Sequence, residues 1–289
     1  MPDGFEMAAA LLPQNLRAAA EALPKARKEQ TEEFRLRMGQ AAALRLPEGE
    51  RTISAAPVTP EMLAEVLEKA SCASLHAVTE ELRRGFLAAP GGVRVGVCGT
   101  AVAGNGIRTL REISSLCIRI PRQIPGAGRE ILTKLLRCGS VLILSPPGGG
   151  KTTFLRELVR SVSDCGAAVS LADERGELAG MYQGMPQFDV GRCTDVLTGA
   201  PKAEAAMLLL RAMGPEVVAM DEISAPEDAG AVELLQGCGV RVFATAHAAD
   251  LSDFAKKRPE FQRLVERGAF EAAVSIRGRG TRTYEVTML

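Results

Sequence analysis

The 289-residue sequence has little of what several common classes of protein require. It contains no tryptophan, two tyrosines and nine phenylalanines, so it offers few aromatic rings on which nucleic-acid bases stack. Its 35 basic residues are matched by 35 acidic ones, so no net positive charge draws the chain to DNA, RNA or an anionic membrane. We therefore expect no nucleic-acid partner.

The cysteines and the apolar segments also exclude some classes of protein. The seven cysteines are odd in number, widely spaced and free of the Cys-x-x-Cys pattern, which favours a reduced cytoplasmic chain over a disulfide or zinc framework. No apolar run approaches the roughly 18 residues that cross a bilayer. The N-terminus also lacks the basic start of a signal peptide. The sequence thus predicts a cytoplasmic protein that is recruited peripherally to any membrane on which it works.

The pattern of helical and strand segments in the sequence changes near residue 122. Residues 1–30 have the pattern of a helical leader, which we expect to be a mobile arm. Residues 31–122 combine short alternating segments with helices and predict a small α+β domain with an antiparallel sheet. After the proline- and glycine-rich stretch PRQIPGAG, residues 123–289 alternate strand and helix. That alternation predicts an α/β domain with a parallel sheet and a ligand site at the carboxyl ends of its strands.

The stretch SPPGGGKTT, residues 145–153, lies between a short apolar strand pattern and a helical pattern. It matches the phosphate-loop pattern G-x-x-x-x-G-K-[ST] at Gly150, Lys151 and Thr152, with Ser145 in place of the first glycine. A glycine-rich loop before a helix presents backbone N–H groups to phosphate. We therefore expect ATP at this loop, with Lys151 on the β and γ phosphates and the Thr152 hydroxyl on Mg²⁺.

Two carboxylates follow the predicted buried strand in EVVAMDE, residues 216–222. Adjacent carboxylates at the tip of a buried strand repel each other unless a cation neutralises them. Asp221 is therefore the candidate Mg²⁺ ligand. Glu222 is the candidate that orients or deprotonates the water attacking the γ-phosphate.

Two further strand ends carry polar side chains. LADERGEL offers Asp173, Glu174 and Glu177 as competing water-activating carboxylates, although a charged helix start has the same pattern. VRVFATAHA ends a strand with Thr245 and His247, which fit a γ-phosphate sensor or a structural histidine. The sequence leaves the water-activating carboxylate open.

In this order, SPPGGGKTT, LADERGEL, PEVVAMDEI and ATAHA resemble the motifs of the hexameric type II and type IV secretion ATPases. The segments GGVRVGVCG, LREISSLCIRIPRQIPG, LTGAPKAEAAMLLLRAMGPEVVAMDEI and GVRVFATAHAADLSDF are similar to the stage III sporulation protein AA family of endospore-forming bacteria. The resemblance spans residues 30–289. It implies a RecA-like P-loop ATPase domain, a homo-oligomeric ring of six subunits, and membrane-protein partners in a secretion-like complex between mother cell and forespore.

The resemblance also implies roles for individual residues. Together with the loop pattern it assigns nucleotide binding to Pro147, Gly148, Gly149, Gly150, Lys151, Thr152 and Thr153. It places Asp221 and Glu222 at the magnesium site, Glu174 or Glu177 in the acidic box, and His247 in the histidine box. In secretion ATPases, arginines of the N-terminal domain and the linker reach the phosphates, and Arg119 and Arg122 occupy that region here. Many of those ATPases have glycine where this chain has Asp221, a departure that keeps the choice of catalytic carboxylate open.

Two other functions fit parts of the sequence. RecA-like domains also move nucleic acids, and KKR at 256–258 and IRGRGTR at 276–282 are local basic patches. IRGRGTR is equally typical of a hairpin turn between two closing strands. The second alternative is a nucleotide-gated scaffold that binds ATP with little turnover.

Overall fold

The computed structural model describes residues 3–72, 82–83, 85–104, 106–278 and 281–289. The chain divides into two units, each with its own hydrophobic core. The first unit comprises Met1–Arg122 and Gly180–Gln187, and the second comprises Gln123–Ala179 and Phe188–Leu289. The sequence predicts one uninterrupted domain over residues 123–289, whereas the structure assigns the segment Gly180–Gln187 to the first unit. It is fixed within the first unit by contacts such as the hydrogen bond from the Gly91 N–H to Gln187 Oε1, 2.9 Å long.

An antiparallel sheet in the order β3-β2-β1-β6-β5-β4 forms the first unit. Its strands are β1 (Glu33–Arg37), β2 (Ala41–Leu46), β3 (Gly49–Pro57), β4 (Phe86–Ala89), β5 (Val93–Gly104) and β6 (Gly106–Arg119). Alternate residues of β1, Phe34 and Leu36, are fully buried, as expected for a strand with one face on the core. The antiparallel sheet predicted for this part of the chain is present.

Two strands of this sheet are longer than their sequence patterns suggested. The sequence GGVRVGVCG at 91–99 and ISSLCIRI at 113–120 predicts two strands, but β5 and β6 continue pairing until Gly104 lies opposite Gly106. Residues 100–104 and 106–112 therefore extend the two strands, because backbone pairing does not require apolar side chains. The sequence also predicts a helix at about residues 75–84, and this segment lies, apart from 82–83, outside the described residues.

The first unit also contains α1 (Gly4–Ala10), α2 (Gln14–Glu21), α3 (Lys25–Gln30), α4 (Pro60–Ala70) and a short 3₁₀ helix at Pro90–Gly92. Helix α4 begins with a capping residue, because the Thr59 hydroxyl accepts a 3.4 Å hydrogen bond from the Met62 N–H and Pro60 occupies the first position.

The expectation of a mobile arm at residues 1–30 is wrong. Phe5, Ala8 and Leu12 are almost completely buried in the core of the first unit. The rings of Phe5 and Phe34 lie 5.3 Å apart, centre to centre. The apolar positions of α1 recur at helical spacing, and the β-sheet supplies the surface that covers them.

A seven-stranded sheet in the order β13-β12-β7-β11-β10-β8-β9 forms the second unit. Its strands are β7 (Val141–Ser145), β8 (Val169–Asp173), β9 (Thr194–Thr198), β10 (Val217–Met220), β11 (Arg241–His247), β12 (Ala272–Arg277) and β13 (Thr283–Met288). All neighbours pair in parallel except β12 with β13. Every residue of β7, β8 and β10 is buried, which is typical of strands covered on both faces. The structure is therefore the predicted α/β fold with a parallel sheet.

In the described part of the second unit, six helices accompany this sheet, namely α5 (Arg129–Leu135), α6 (Lys151–Asp164), α7 (Lys202–Met213), α8 (Pro226–Gly237), α9 (Leu251–Lys257) and α10 (Pro259–Glu266). Helix α5 and strand β9 had no counterpart in the sequence patterns. Among the helices in the described ranges, none combines the length and the apolarity needed to span a membrane.

The order of the strands determines where the predicted motifs meet. β7, β11, β10 and β8 are consecutive parallel neighbours, so their carboxyl ends lie along one edge of the sheet. The loop at 145–153 follows β7, and His247 ends β11. Asp221 follows β10, and the acidic segment LADERGEL continues from β8. This edge is the candidate site.

Packing of α1 into the first unit makes a testable prediction. Replacing Phe5 with alanine removes a buried ring, and we expect the free energy of unfolding to fall by about 3–5 kcal/mol. Replacing the exposed Asn15 of α2 with alanine is the control and should change it by no more than about 0.5 kcal/mol. Urea unfolding followed by circular dichroism measures both. A Phe5→Ala protein as stable as the parent would mean that residues 1–30 are an arm after all.

Candidate active site

The loop after β7 turns sharply before α6 begins. The Gly149 N–H donates a 3.1 Å hydrogen bond to the Pro146 carbonyl. Ser145 is buried, and its hydroxyl donates to the same carbonyl at 2.9 Å. A Cβ atom on Gly149 would lie 2.4 Å from Ser145 Oγ, so the serine fits at this position because residue 149 has no side chain. Pro147 and Gly148 form the exposed tip of the turn.

Helix α6 begins directly at the loop. Gly150 caps it with a φ of 97°, a backbone conformation that glycine adopts without strain. Lys151 is buried in the first turn, and Thr152 and Thr153 are half-buried beside it. The first N–H groups of a helix have no partner within the helix, and the helix dipole makes this end electropositive. A loop and helix start of this shape could bind phosphate, and phosphate binding here stays a prediction.

Asp221 connects this helix to the neighbouring strands. Thr152 Oγ1 donates a 3.0 Å hydrogen bond to Asp221 Oδ2, and Thr245 Oγ1 donates to Asp221 Oδ1. The Glu222 N–H in turn donates to Thr245 Oγ1 at 2.7 Å. The two hydroxyls fix the carboxylate from both sides. They link Asp221, which follows β10, to Thr152, which lies in the helix after β7, and to Thr245 within β11.

Glu222 has an unusual backbone conformation. Its φ is 59°, the left-handed region that costs a residue with a side chain roughly 1–3 kcal/mol. Hydrogen bonds hold it there, because Thr245 accepts the Glu222 N–H through its hydroxyl and the Ile223 N–H, at 2.8 Å, through its carbonyl. The Glu222 carboxylate lies 3.1 Å from His247 Nε2 and 3.2 Å from Arg175 Nη1. The strained backbone thus directs this carboxylate toward two basic side chains.

His247 lies between Glu222 and the loop lysine. Lys151 Nζ is 3.1 Å from both ring nitrogens of His247. A lysine ammonium only donates and a carboxylate only accepts, so His247 accepts from Lys151 through Nδ1 and donates to Glu222 through Nε2. Burial lowers the pKa of Lys151, while the negative charges of Asp221, Glu222 and Glu177 oppose that shift. The ammonium is thus held in place by the acidic groups around it.

The environment of Asp221 fits a site for a divalent cation. Burial raises the pKa of Asp221, and the hydrogen bonds from Thr245 and Thr152 and the charge of Lys151 only partly offset this. One carboxylate and one hydroxyl at a phosphate-binding loop are the protein ligands typical of Mg²⁺, which keeps several waters and substrate phosphate oxygens. No group of three or more His, Cys, Asp or Glu side chains in the described ranges is placed to hold a metal ion.

The acidic segment after β8 is folded by Asp173 and Arg156. The buried Asp173 carboxylate accepts the N–H groups of Glu177, Leu178 and Ala179 at 2.9–3.2 Å. From α6, Arg156 donates to the carbonyls of Leu178 and Glu177 at 2.6 and 2.8 Å. Burial lowers the pKa of Arg156 to about 10. Asp173 therefore shapes the loop, and its oxygens are occupied by backbone donors.

The two glutamates of this segment have different surroundings. The negative charge of Glu177 raises the pKa of both Lys151 and Asp221, so Glu177 acts electrostatically on the cluster. Glu174 instead pairs with Lys202 of α7 at 2.9 Å, and Lys202 also lies 3.7 Å from Asp228. The structure therefore does not bring Glu174 into contact with the loop lysine, because a neighbouring helix supplies its cation.

Arg119 and Arg122 belong to the first unit. Arg119 Nε lies 4.0 Å from Glu33, and Arg122 donates to the carbonyls of Glu29 and Thr31 at 2.6 and 2.7 Å. Their contact with phosphate stays a prediction.

Sequence reasoning missed Arg156 and Arg175. Arg156 is buried in α6, which is an unusual place for an arginine, but Glu157 follows it and Arg160 lies one turn later, so the sequence resembles an ordinary solvated helix face. Arg175 stands within LADERGEL, but its pairing with Glu222 depends on how two loops meet, so no local pattern indicates it.

The raised pKa of Asp221 predicts a pH-dependent stability. The folded protein binds this proton more tightly than the unfolded chain, so the ionised carboxylate destabilises the metal-free fold at neutral pH, and the penalty disappears as the pH falls through the folded-state pKa. Asp221→Asn should therefore be more stable than the parent at pH 7 without divalent cations, and the difference should shrink in acid. Urea unfolding at several pH values measures it.

Asp195→Asn is the matched control, because Asp195 is an exposed carboxylate of the same unit. It should change the unfolding free energy by less than about 0.5 kcal/mol at every pH. An Asp221→Asn protein that is less stable than the parent at pH 7 would contradict the prediction.

The comparisons with known structures concern the fold. The chain is similar to the Yersinia pseudotuberculosis ATPase DotB, with a TM-score of 0.60 and 14% identity over 95% of this chain and 79% of that one. It is also similar to the pilus retraction motor PilT with bound ADP, with a TM-score of 0.61 and 15% identity over 91% of this chain and 82% of that one. These similarities support the RecA-like fold class.

The sequence comparisons identify the family. The stage III sporulation protein AA of Bacillus subtilis (strain 168) is 35% identical over 285 residues, which are 94% of this chain and 92% of that protein. The family model described as "Sporulation stage III, protein AA" matches residues 6–284. With nearly the whole chain covered by both, the protein belongs to the stage III sporulation protein AA family.

Proposed function

We propose that this protein binds ATP with Mg²⁺ and hydrolyses it at the edge of the parallel sheet. The observation that carries the proposal is the hydrogen bond between Thr152 and Asp221, next to Lys151 and His247. It joins a phosphate-binding loop to a strand-end carboxylate, the pairing that P-loop ATPases use to hold Mg²⁺ and the β and γ phosphates. The fold shared with an ATPase and with an ADP-bound motor supports the same activity.

Each residue of the cluster has a task that follows from its position. The N–H groups at the start of α6 bind phosphate oxygens, and Lys151 neutralises the β and γ oxygens. Thr152 and Asp221 would hold Mg²⁺, which when bound supplies charge neutralisation for the β and γ phosphates. Thr245 keeps the Asp221 carboxylate oriented, because it donates to one of its oxygens.

Glu222 is the carboxylate that we propose to position the attacking water. It follows Asp221 directly and contacts His247, which contacts Lys151, so it lies within the cluster. Arg175 and His247 both hold its carboxylate, and displacement of either side chain frees an oxygen that can accept a proton. His247 is then placed to respond to the γ-phosphate, because the same lysine that binds phosphate is its partner.

The contacts of the two basic patches do not favour a nucleic-acid motor. Arg258 donates to the Ser224 carbonyl, and Arg277 pairs with Glu285 at 3.1 Å. Two of the arginines of the patches are thus engaged within the chain. The pairing of Arg277 with Thr283 in the sheet also supports the hairpin interpretation of IRGRGTR.

We further propose that ATP turnover powers a secretion-like membrane complex during endospore formation. Membership of a sporulation family and a fold like that of a pilus retraction motor support this assignment. The expected partners are membrane proteins of that complex. Arg119 and Arg122 would act on the phosphates in the assembled ring, since this role is what the resemblance to secretion ATPases implies.

Three carboxylate variants test the activity and the choice of catalytic residue. Glu222→Gln should lower the turnover of Mg·ATP by about 100-fold or more while leaving ATP binding intact, because the loss of a positioned base costs that much. Glu174→Gln is the matched control and should keep turnover within about threefold, because Glu174 pairs with Lys202. Phosphate release and equilibrium ATP binding are the measurements.

The same measurements on these variants and the parent also distinguish between the candidate carboxylates and between hydrolysis and nucleotide binding alone. If Glu177→Gln loses turnover and Glu222→Gln does not, the water-activating carboxylate is Glu177. A parent that binds ATP without turnover would instead be a nucleotide-gated scaffold, and the hydrolysis proposal would be wrong.

Assembly into a ring is tested by the mass in solution. With a non-hydrolysable ATP analogue and Mg²⁺, we expect light scattering to give about six times the 30.6 kDa chain mass. Lys151→Ala, which removes the phosphate-binding ammonium, should prevent any increase that depends on the analogue. A parent that stays at the mass of one chain with bound analogue would contradict the ring.

A further inference from the structure

Arg282 lies at the same edge of the sheet as the phosphate loop. β12 pairs in parallel with β7, with Ser275 opposite Leu144, and the loop begins at the next residue of β7. β13 returns antiparallel to β12, with Thr283 opposite Arg277. The residue just before β13 is therefore placed next to the loop.

The guanidinium of Arg282 packs directly on Gly150. A Cβ atom on Gly150 would lie 2.5 Å from Arg282 Cζ, 2.6 Å from Nε and 2.9 Å from Nη1. Any side chain at residue 150 would thus displace the arginine. The absence of a side chain at Gly150 serves two purposes here, because it permits the left-handed helix cap and also admits a cation next to the first turn of α6.

The guanidinium has unused hydrogen-bonding capacity. Arg282 Nε is buried, and it has no hydrogen-bond partner among the described residues. A buried donor without a partner is uncommon and costs free energy. Arg277 on the same pair of strands differs, because it is exposed and forms an ion pair with Glu285. Arg282 therefore places an unpartnered N–H donor beside the loop, and the burial of this donor lowers the stability of the fold.

A ring contact fixes the position of Arg282. Tyr284, two residues later in β13, lies with its ring 5.3 Å from that of Phe154, centre to centre. Phe154 is buried in the first turn of α6, where its N–H donates to the Gly150 carbonyl at 3.0 Å. The strand and the helix are thus joined next to the loop, which limits the movement of the arginine away from it.

The side of the loop on which Arg282 lies indicates which part of a nucleotide it meets. β12 and β11 are on opposite sides of β7. β11 ends at His247, and beyond it β10 leads to Asp221 and Glu222, the groups assigned to the γ-phosphate and the water. Arg282 comes from the β12 side. It is therefore placed away from the bond that is cleaved.

We propose that Arg282 is a nucleotide-binding residue that contacts the α and β phosphates, the part that ATP and ADP share. The inference rests on the proposed function. A guanidinium binds phosphate oxygens through two parallel N–H donors, and Nε with a neighbouring Nη forms such a pair. The role differs from that of Glu222 and His247, because Arg282 strengthens binding of substrate and product alike and leaves the chemical step unchanged.

Titration of the full-length protein with ADP, and separately with a non-hydrolysable ATP analogue, tests this contact. Arg282→Gln should weaken the binding of both by about 10- to 100-fold, the loss expected for one or two charge-assisted hydrogen bonds. KM for ATP should rise by a similar factor, while kcat at saturating ATP stays within about threefold. Arg282→Lys should fall between the parent and the glutamine variant, because lysine keeps the charge but lacks the two-donor fork.

Arg277→Gln is the matched control, since it removes an arginine of the same hairpin that points to Glu285, and its affinities should stay within about twofold of the parent. Circular dichroism and the urea midpoint establish that each variant is folded, and if Arg282→Gln does not fold, Arg282→Lys decides. Unchanged ADP affinity in the folded Arg282 variant would overturn the inference, as would a loss of kcat with unchanged affinity. A parent that binds neither nucleotide would overturn the proposed function itself, and the inference with it.

Discussion

The two hydroxyl groups that donate to Asp221 are the interaction on which the site depends. A carboxylate at the end of a buried strand is unfavourable in isolation, and burial raises its pKa. Thr152 and Thr245 offset part of that cost and, in doing so, bring the start of α6 and the end of β11 to the same point. These two hydrogen bonds thus fix Lys151, at the start of α6, relative to Glu222, which follows Asp221. The sheet brings the strand ends to one edge, and this pair of hydrogen bonds fixes the side chains of the candidate site relative to one another.

The site is also held under strain, which is typical of functional positions. Glu222 adopts a left-handed backbone that two hydrogen bonds to Thr245 maintain, and Arg282 keeps a buried donor without a described partner. Neither feature stabilises the ligand-free fold. A charged ligand would supply what the arrangement lacks, since phosphate oxygens can accept from the Arg282 donor and a divalent cation would offset the cost of burying the Asp221 carboxylate.

Much of the fold and the centre of the site could be predicted from sequence because their signals are local. An apolar strand followed by glycines, a lysine and a helix places Lys151, and an apolar strand that ends in two acids places Asp221. Arg175 and Arg282 could not be found in this way, because their partners are set by the pairing of distant strands and loops. The leader was misjudged for a similar reason, since its apolar face has no visible partner until the first sheet has formed.

The chain crosses between the two units more than once. Immediately after the loop that Asp173 and Arg156 shape, the segment Gly180–Gln187 leaves the second unit and becomes part of the first. A shortened protein that starts at Gln123 would consequently carry this segment without the residues it packs on, including Gly91, whose N–H binds Gln187. The unit that holds the candidate site is therefore not a separable module, because a protein cut at the linker would carry unsupported chain directly after the acidic loop.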